Sequence, residues 1–144
     1  MKSNYEQDVV VWAQEQAQLL RSGQFADLDI EHIAEEIEDV GKSEQRELSN
    51  RMAILLSHLL KWEFQPERRG KNEEAVIQAR RNSIERRIRK TPSLKALLAD
   101  QDWWKGVWDD AVVEAYQETG MDAALPETCP WSADEVMNHV ILRP

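Results

Sequence analysis

The stretch "IEHIAEEIEDVGKSEQRELSNRMAILLSHLLKW", residues 30–62, decides the fold class. Its apolar residues return every three or four positions. Ile30, Ile33, Ala34, Ile37 and Val40 form one set, and Leu48, Met52, Leu55, Leu56, Leu59 and Trp62 form a second. That spacing puts each set on one face of an α-helix and does not fit the strict alternation of a half-buried strand. Gly41 ends or bends the first of these helices, and Ser43 begins the next. Pro66 stops it, because proline disfavours a helical residue before it.

The same period extends in both directions. Val9, Trp12, Ala13, Ala17 and Leu20 predict a helix over Tyr5–Ser22, stopped by Gly23. Asp27 or Asp29 is placed to cap the helix that follows. Asn72 opens a helix reaching about Lys90, with Val76, Ile77, Ile84 and Ile88 apolar. "TPSL" offers Thr91 as a cap and Pro92 at the first helical position, ahead of Leu94, Leu97 and Leu98. Asp102 caps the next helix, striped by Trp104, Val107, Trp108, Ala111 and Ala115 and ended by Gly120. "SADE", residues 132–135, fits a capping box before a short last helix. The expectation is an all-α chain, a single-domain helical bundle of about five to six helices over residues 1–144.

Composition agrees. Five glycines and five prolines in 144 residues leave little material for the turns of a β protein, and 42% hydrophobic residues suffice for one core. The longest apolar run, "AILL" at 53–56, is far short of the ~20 residues that span a bilayer. The acidic start "MKSNYEQDVVVWAQEQ" does not resemble a signal peptide, and Cys129 is the only cysteine. A cytoplasmic protein without internal disulfides is expected. Cys129 lacks a CxxC partner or a basic neighbour and reads as a packed, inert thiol.

The net charge of −9 argues against a general binder of nucleic acid or anionic membrane. The charge is uneven: residues 61–90 carry ten Lys/Arg against five Asp/Glu, between two acidic ends. Within that insert, Arg86, Arg87 and Lys90 are candidates for docking an acidic partner, and Trp103 is a candidate interface residue.

One polar seam carries the candidate chemistry. His32, Glu35 and Glu36 stand at i, i+3 and i+4 on one helix. Glu47, Arg51 and His58 follow one ridge of the next, and Arg81 falls inside an apolar stripe between Ile77 and Ile84. A charge near a core needs a partner. The expectation is therefore an internal network of Glu36, Glu47, Arg51, His58 and Arg81. As chemistry, Glu35, Glu36, His58 and Arg51 are catalytic candidates, and His32, Glu35, Glu36 and His58 are candidate ligands of a divalent metal. As structure, the same groups fix how the helices register and need no cofactor. The spacing is neither HExxH nor a doubled ExxH, and no Gly-rich phosphate loop, GxSxG elbow or cysteine cluster is present.

Several blocks taken together, "YEQDVVVWAQEQAQLLRSGQFADLD", "EEIEDVGKSEQREL", "HLLKWEFQPE", "TPSLK" and "ETG…LPETCPW", resemble a bacterial family common in cyanobacteria and known as domain of unknown function number twenty-nine. The resemblance covers nearly the whole chain. The family's recurrent motifs correspond here to Trp12, Leu19, Leu20, Glu35, Glu36, Ile37, Gly41, Arg46, Glu47, His58, Leu59, Lys61, Trp62, Pro66 and Cys129-Pro130. The chain departs from the family after "QPE", where tryptophan and threonine are usual and "RRGKNEEAVIQARR" stands instead. The resemblance implies a small all-helical bacterial domain and no particular activity. Two functions stand open: a protein-interaction or regulatory module that binds another protein or itself, and a metal-binding or hydrolytic bundle enzyme using Glu35, Glu36 and His58.

Overall fold

A computed structural model describes residues 4–120 and 125–138. Among them are five α-helices and no strand: α1 (Val9–Arg21), α2 (Ile30–Phe64), α3 (Lys71–Lys90), α4 (Gln101–Thr119) and α5 (Ala133–Asn138). Short 3-10 turns join them, and the eight-residue 3-10 segment Pro92–Ala99 makes a sixth helical element. The chain is an all-α helical bundle, as its periodicity requires. It divides into two compact units, Met1–Glu44 and Gln45–Pro144.

The helix ends follow local chemistry. Asp8 caps α1, its carboxylate accepting from the amides of Val10 and Val11. The expected start at Tyr5 is therefore corrected to Val9. Asp100, not Asp102, caps α4 and accepts from the amides of Asp102 and Trp103. Gly120 closes α4 in the left-handed region with φ 61°. Thr91 precedes Pro92 as expected but makes no side-chain cap. The Ser132–Glu135 box forms reciprocally, each side chain bonding the other residue's amide at 3.1 Å.

The largest correction concerns Gly41. It does not end a helix; α2 runs 35 residues through it. A lone glycine weakens a helix by about 1 kcal/mol, which neighbours on both sides readily offset.

In the second unit, Leu48, Met52, Leu55, Leu56, Leu59 and Leu60 of α2 are fully buried. Ile77, Ile84, Leu94, Val107, Trp108 and Val136 close around them. Three indole NH groups find acceptors, Trp108 donating to Pro126 O, Trp104 to Leu98 O and Trp103 to the Ser49 hydroxyl, whereas the buried NH of Trp62 has none.

The first unit is built differently. Trp12 is its one buried apolar residue among those described. The Ile30–Val40 line of α2 is not core: Ile30, Ile37 and Val40 are 68, 67 and 66% exposed. The Tyr5–Trp12 side of the unit meets α2 through His32 and Glu36, which turns that line outward.

Gly41 has open space where a Cβ would stand. Gly41→Ala should therefore raise unfolding stability by about 0.5–1 kcal/mol. Gly120→Ala should lower it by about 1–2 kcal/mol, because φ there is positive. Urea titrations of the two variants check both signs.

Candidate functional site

His32, Glu35 and Glu36 belong to the first unit, and Glu47, Arg51, His58 and Arg81 to the second. Within the units these residues take part in four arrangements, one in the first and three in the second.

In the first unit the centre is Asp29, immediately before α2. Its carboxylate accepts from Trp12 Nε1 at 2.9 Å and lies 2.7 Å from His32 Nδ1. Its amide donates to the Gln16 side chain at 2.8 Å. Tyr5 stacks on His32 with centroids 4.0 Å apart and meets Trp12 edge-on at 4.8 Å. The Tyr5 hydroxyl donates to Glu36 at 2.6 Å. That bond, with burial and the charge of Glu36 adding to it, pushes the phenol up to about 12. The hydrogen bond to Asp29 raises the pKa of His32, with burial opposing it. The contact with the carboxylate favours the imidazolium form of the ring. Sequence spacing had singled out His32 and Glu36 and missed Tyr5, Trp12, Gln16 and Asp29. The available signal was "DIEH", which puts Asp29 three residues before His32.

In the second unit, Arg51 Nε donates to Glu47 at 2.8 Å, and its guanidinium reaches the Ser83 hydroxyl on α3. Arg87 approaches Glu47 at 4.0 Å. Arg81 is buried, yet its partner is not Glu47. Its Nε donates to Val136 O at 2.8 Å and its Nη2 to Glu135 O at 3.3 Å, tying α3 to α5. A guanidinium can satisfy the last carbonyls of a helix as well as a carboxylate.

His58 stands apart from these. Its Nδ1 is buried without a hydrogen-bond partner. Burial lowers its pKa, and Lys61 and Arg80 push the same way against Glu118 and Glu73. Lys61 pairs with Glu118. No group of three or more His, Cys, Asp or Glu side chains that could hold a metal ion occurs among the described residues.

The docking candidates divide. Arg86 and Lys90 are exposed, whereas Arg87 is half-buried beside Glu47. Trp103 is half-buried, with its indole NH bound to Ser49. Cys129 is half-buried, its thiol donates to Trp131 O at 3.5 Å, and burial raises its pKa.

A family model described as "Domain of unknown function DUF29" matches residues 4–141. The chain belongs to the DUF29 family. Neither a curated protein nor a solved structure gives a significant match. Among the described residues of this DUF29 chain, no helix is long and apolar enough to cross a membrane.

Two titrations follow from the site. In an NMR pH titration assigned with His→Gln variants, His32 should titrate above the ordinary value of 6.5 and His58 below it. The stability contributions then have opposite signs. That of His32 is complete below its unfolded pKa and is lost as pH rises through its higher folded value. That of His58 is present above its unfolded pKa and is lost as pH falls through its lower folded value. Separately, Arg81→Ala removes charged hydrogen bonds to buried carbonyls and should destabilise the protein by about 1.5–3 kcal/mol, measured by urea unfolding.

Proposed function

We propose that this DUF29 chain is a protein-interaction module whose contact face is the first half of α2. One observation carries the proposal: Ile30, Ile37 and Val40 lie on one line of the helix and are each about two-thirds exposed. Among the described residues, eight of the ten exposed large apolar ones fall in the first 44 positions: Val9, Val10, Val11, Leu20, Phe25, Ile30, Ile37 and Val40. The larger second unit contributes two, Val113 and Tyr116. Scattered apolar residues need no explanation, but a concentration on one small unit marks an interaction surface. The polar groups described above serve this module as structure: the Asp29 cluster holds α1 against α2, and Arg81 and Arg51 tie helices within the second unit.

The metal-binding or hydrolytic alternative needs Glu35, Glu36 and His58 at one point. Glu36 is engaged by Tyr5, and Nδ1 of His58 has no partner. Nothing in the geometry favours that alternative.

A photo-reactive phenylalanine analogue in place of Ile37 should give a discrete protein adduct in cells. The same analogue in place of Ala79, exposed on α3, should not. The absence of any adduct from position 37, or the same adducts from both positions, would discard the proposal. Ile37→Ser should abolish the interaction while changing unfolding free energy by no more than about 0.5 kcal/mol, as expected for a surface position.

A further inference from the structure

We infer that the occupant of this face is a basic amphipathic helix of another protein. This deepens the interaction-module proposal and rests on it. Ile30, Ile33, Ile37 and Val40 repeat at intervals of three, four and three. That is the seam by which one helix receives another, and here it is about three turns long. Ala34 and Gly41, seven residues apart, flank the seam, and Gly41 has nothing within 4 Å of where its Cβ would be. A partner backbone can approach closely along that side.

Charge selects among helices. Residues 1–44 carry three Lys/Arg against eleven Asp/Glu, a net −8. On α2 itself Glu31, Glu35 and Glu38 form the ridge one position on from Ile30, Ala34 and Ile37. All three are exposed, and none of their carboxylates makes a hydrogen bond or ion pair among the described residues, Glu35 acting on His32 and Tyr5 only through its charge. An apolar seam beside an unpaired acidic ridge fits a helix with leucine-like residues on one face and Lys/Arg on the next. A second copy offering the same face would bring two units of −8 together, and like charges juxtaposed across an interface oppose association. The basic α3 of a second copy supplies charge without an apolar face, because Ile77 and Ile84 are fully buried in its own unit. Nucleic acids and anionic lipid surfaces share the sign of the ridge.

The test titrates the full chain with a synthetic peptide of about 18 residues, or five helical turns, made of leucine and lysine at three-four spacing. Its leucine–glutamate counterpart is the control, and calorimetry the readout. The leucine–lysine peptide should bind and the leucine–glutamate peptide should not. Affinity should fall about tenfold or more in Ile30→Ser/Ile37→Ser/Val40→Ser, a change of about 1.4 kcal/mol. It should fall similarly in Glu31→Gln/Glu35→Gln/Glu38→Gln, with circular dichroism confirming that both variants are helical. Loss in the charge variant alone is mere electrostatic adsorption and overturns the inference. Equal binding of both peptides, or of neither, overturns it too. Self-association of the chain that the serine variant abolishes, seen by sedimentation, replaces the basic helix with a second copy. Failure of the peptide alongside a discrete adduct from position 37 sinks the basic helix and leaves the module standing; failure of both sinks the module.

Discussion

The constraint on which the architecture depends is that one unbroken helix serves two compact units. From Leu48 onward α2 buries nine residues; before Leu48 it buries none. The second half meets the apolar faces of α3, α4 and α5 and disappears into a core. The first half meets mainly polar and aromatic groups, so most of its apolar line stays exposed, Ile33 alone being half-buried. Backbone hydrogen bonding is continuous along a helix, but burial follows whatever side chains the surroundings supply.

The first unit replaces a core with a hydrogen-bonded aromatic cluster. Burying Trp12 alone brings little hydrophobic stabilisation beside what the second unit gains from its leucines. The Asp29 carboxylate compensates by serving Trp12 and His32 together, while Gln16 engages its amide. Such a cluster has directional bonds, and so specifies one geometry with few residues. It also makes the first unit sensitive to protons in the opposite sense to the second, since its imidazole is held by a carboxylate while that of His58 is desolvated.

Much of the fold was legible because helical period and capping chemistry are local. The all-α class, the stop before Pro66, the glycine closing α4 and the Ser132–Glu135 box all follow from residues within a turn of one another. Gly41 misled because its cost is small against a helix continued on both sides. The Ile30–Val40 line misled in another way: period three to four reports that a face is apolar, not that something covers it. The polar seam was the least legible part. Which donor meets which acceptor across helices depends on tertiary placement, and Arg81 took main-chain carbonyls that no side-chain pattern advertises. Asp29 stood outside the candidate set because it precedes a helix and reads as a cap, whereas its side chain reaches back to Trp12.

The acidic character of residues 1–44 has a consequence beyond partner choice. An exposed line of isoleucine and valine on a helix invites indiscriminate sticking, and flanking charges are the usual guard against it. Glu31, Glu35, Glu38 and Asp39 stand beside that line, and like charges there oppose the approach of a second such face. Amides in place of those carboxylates would leave the line unguarded, with no charge to oppose its sticking to other apolar surfaces.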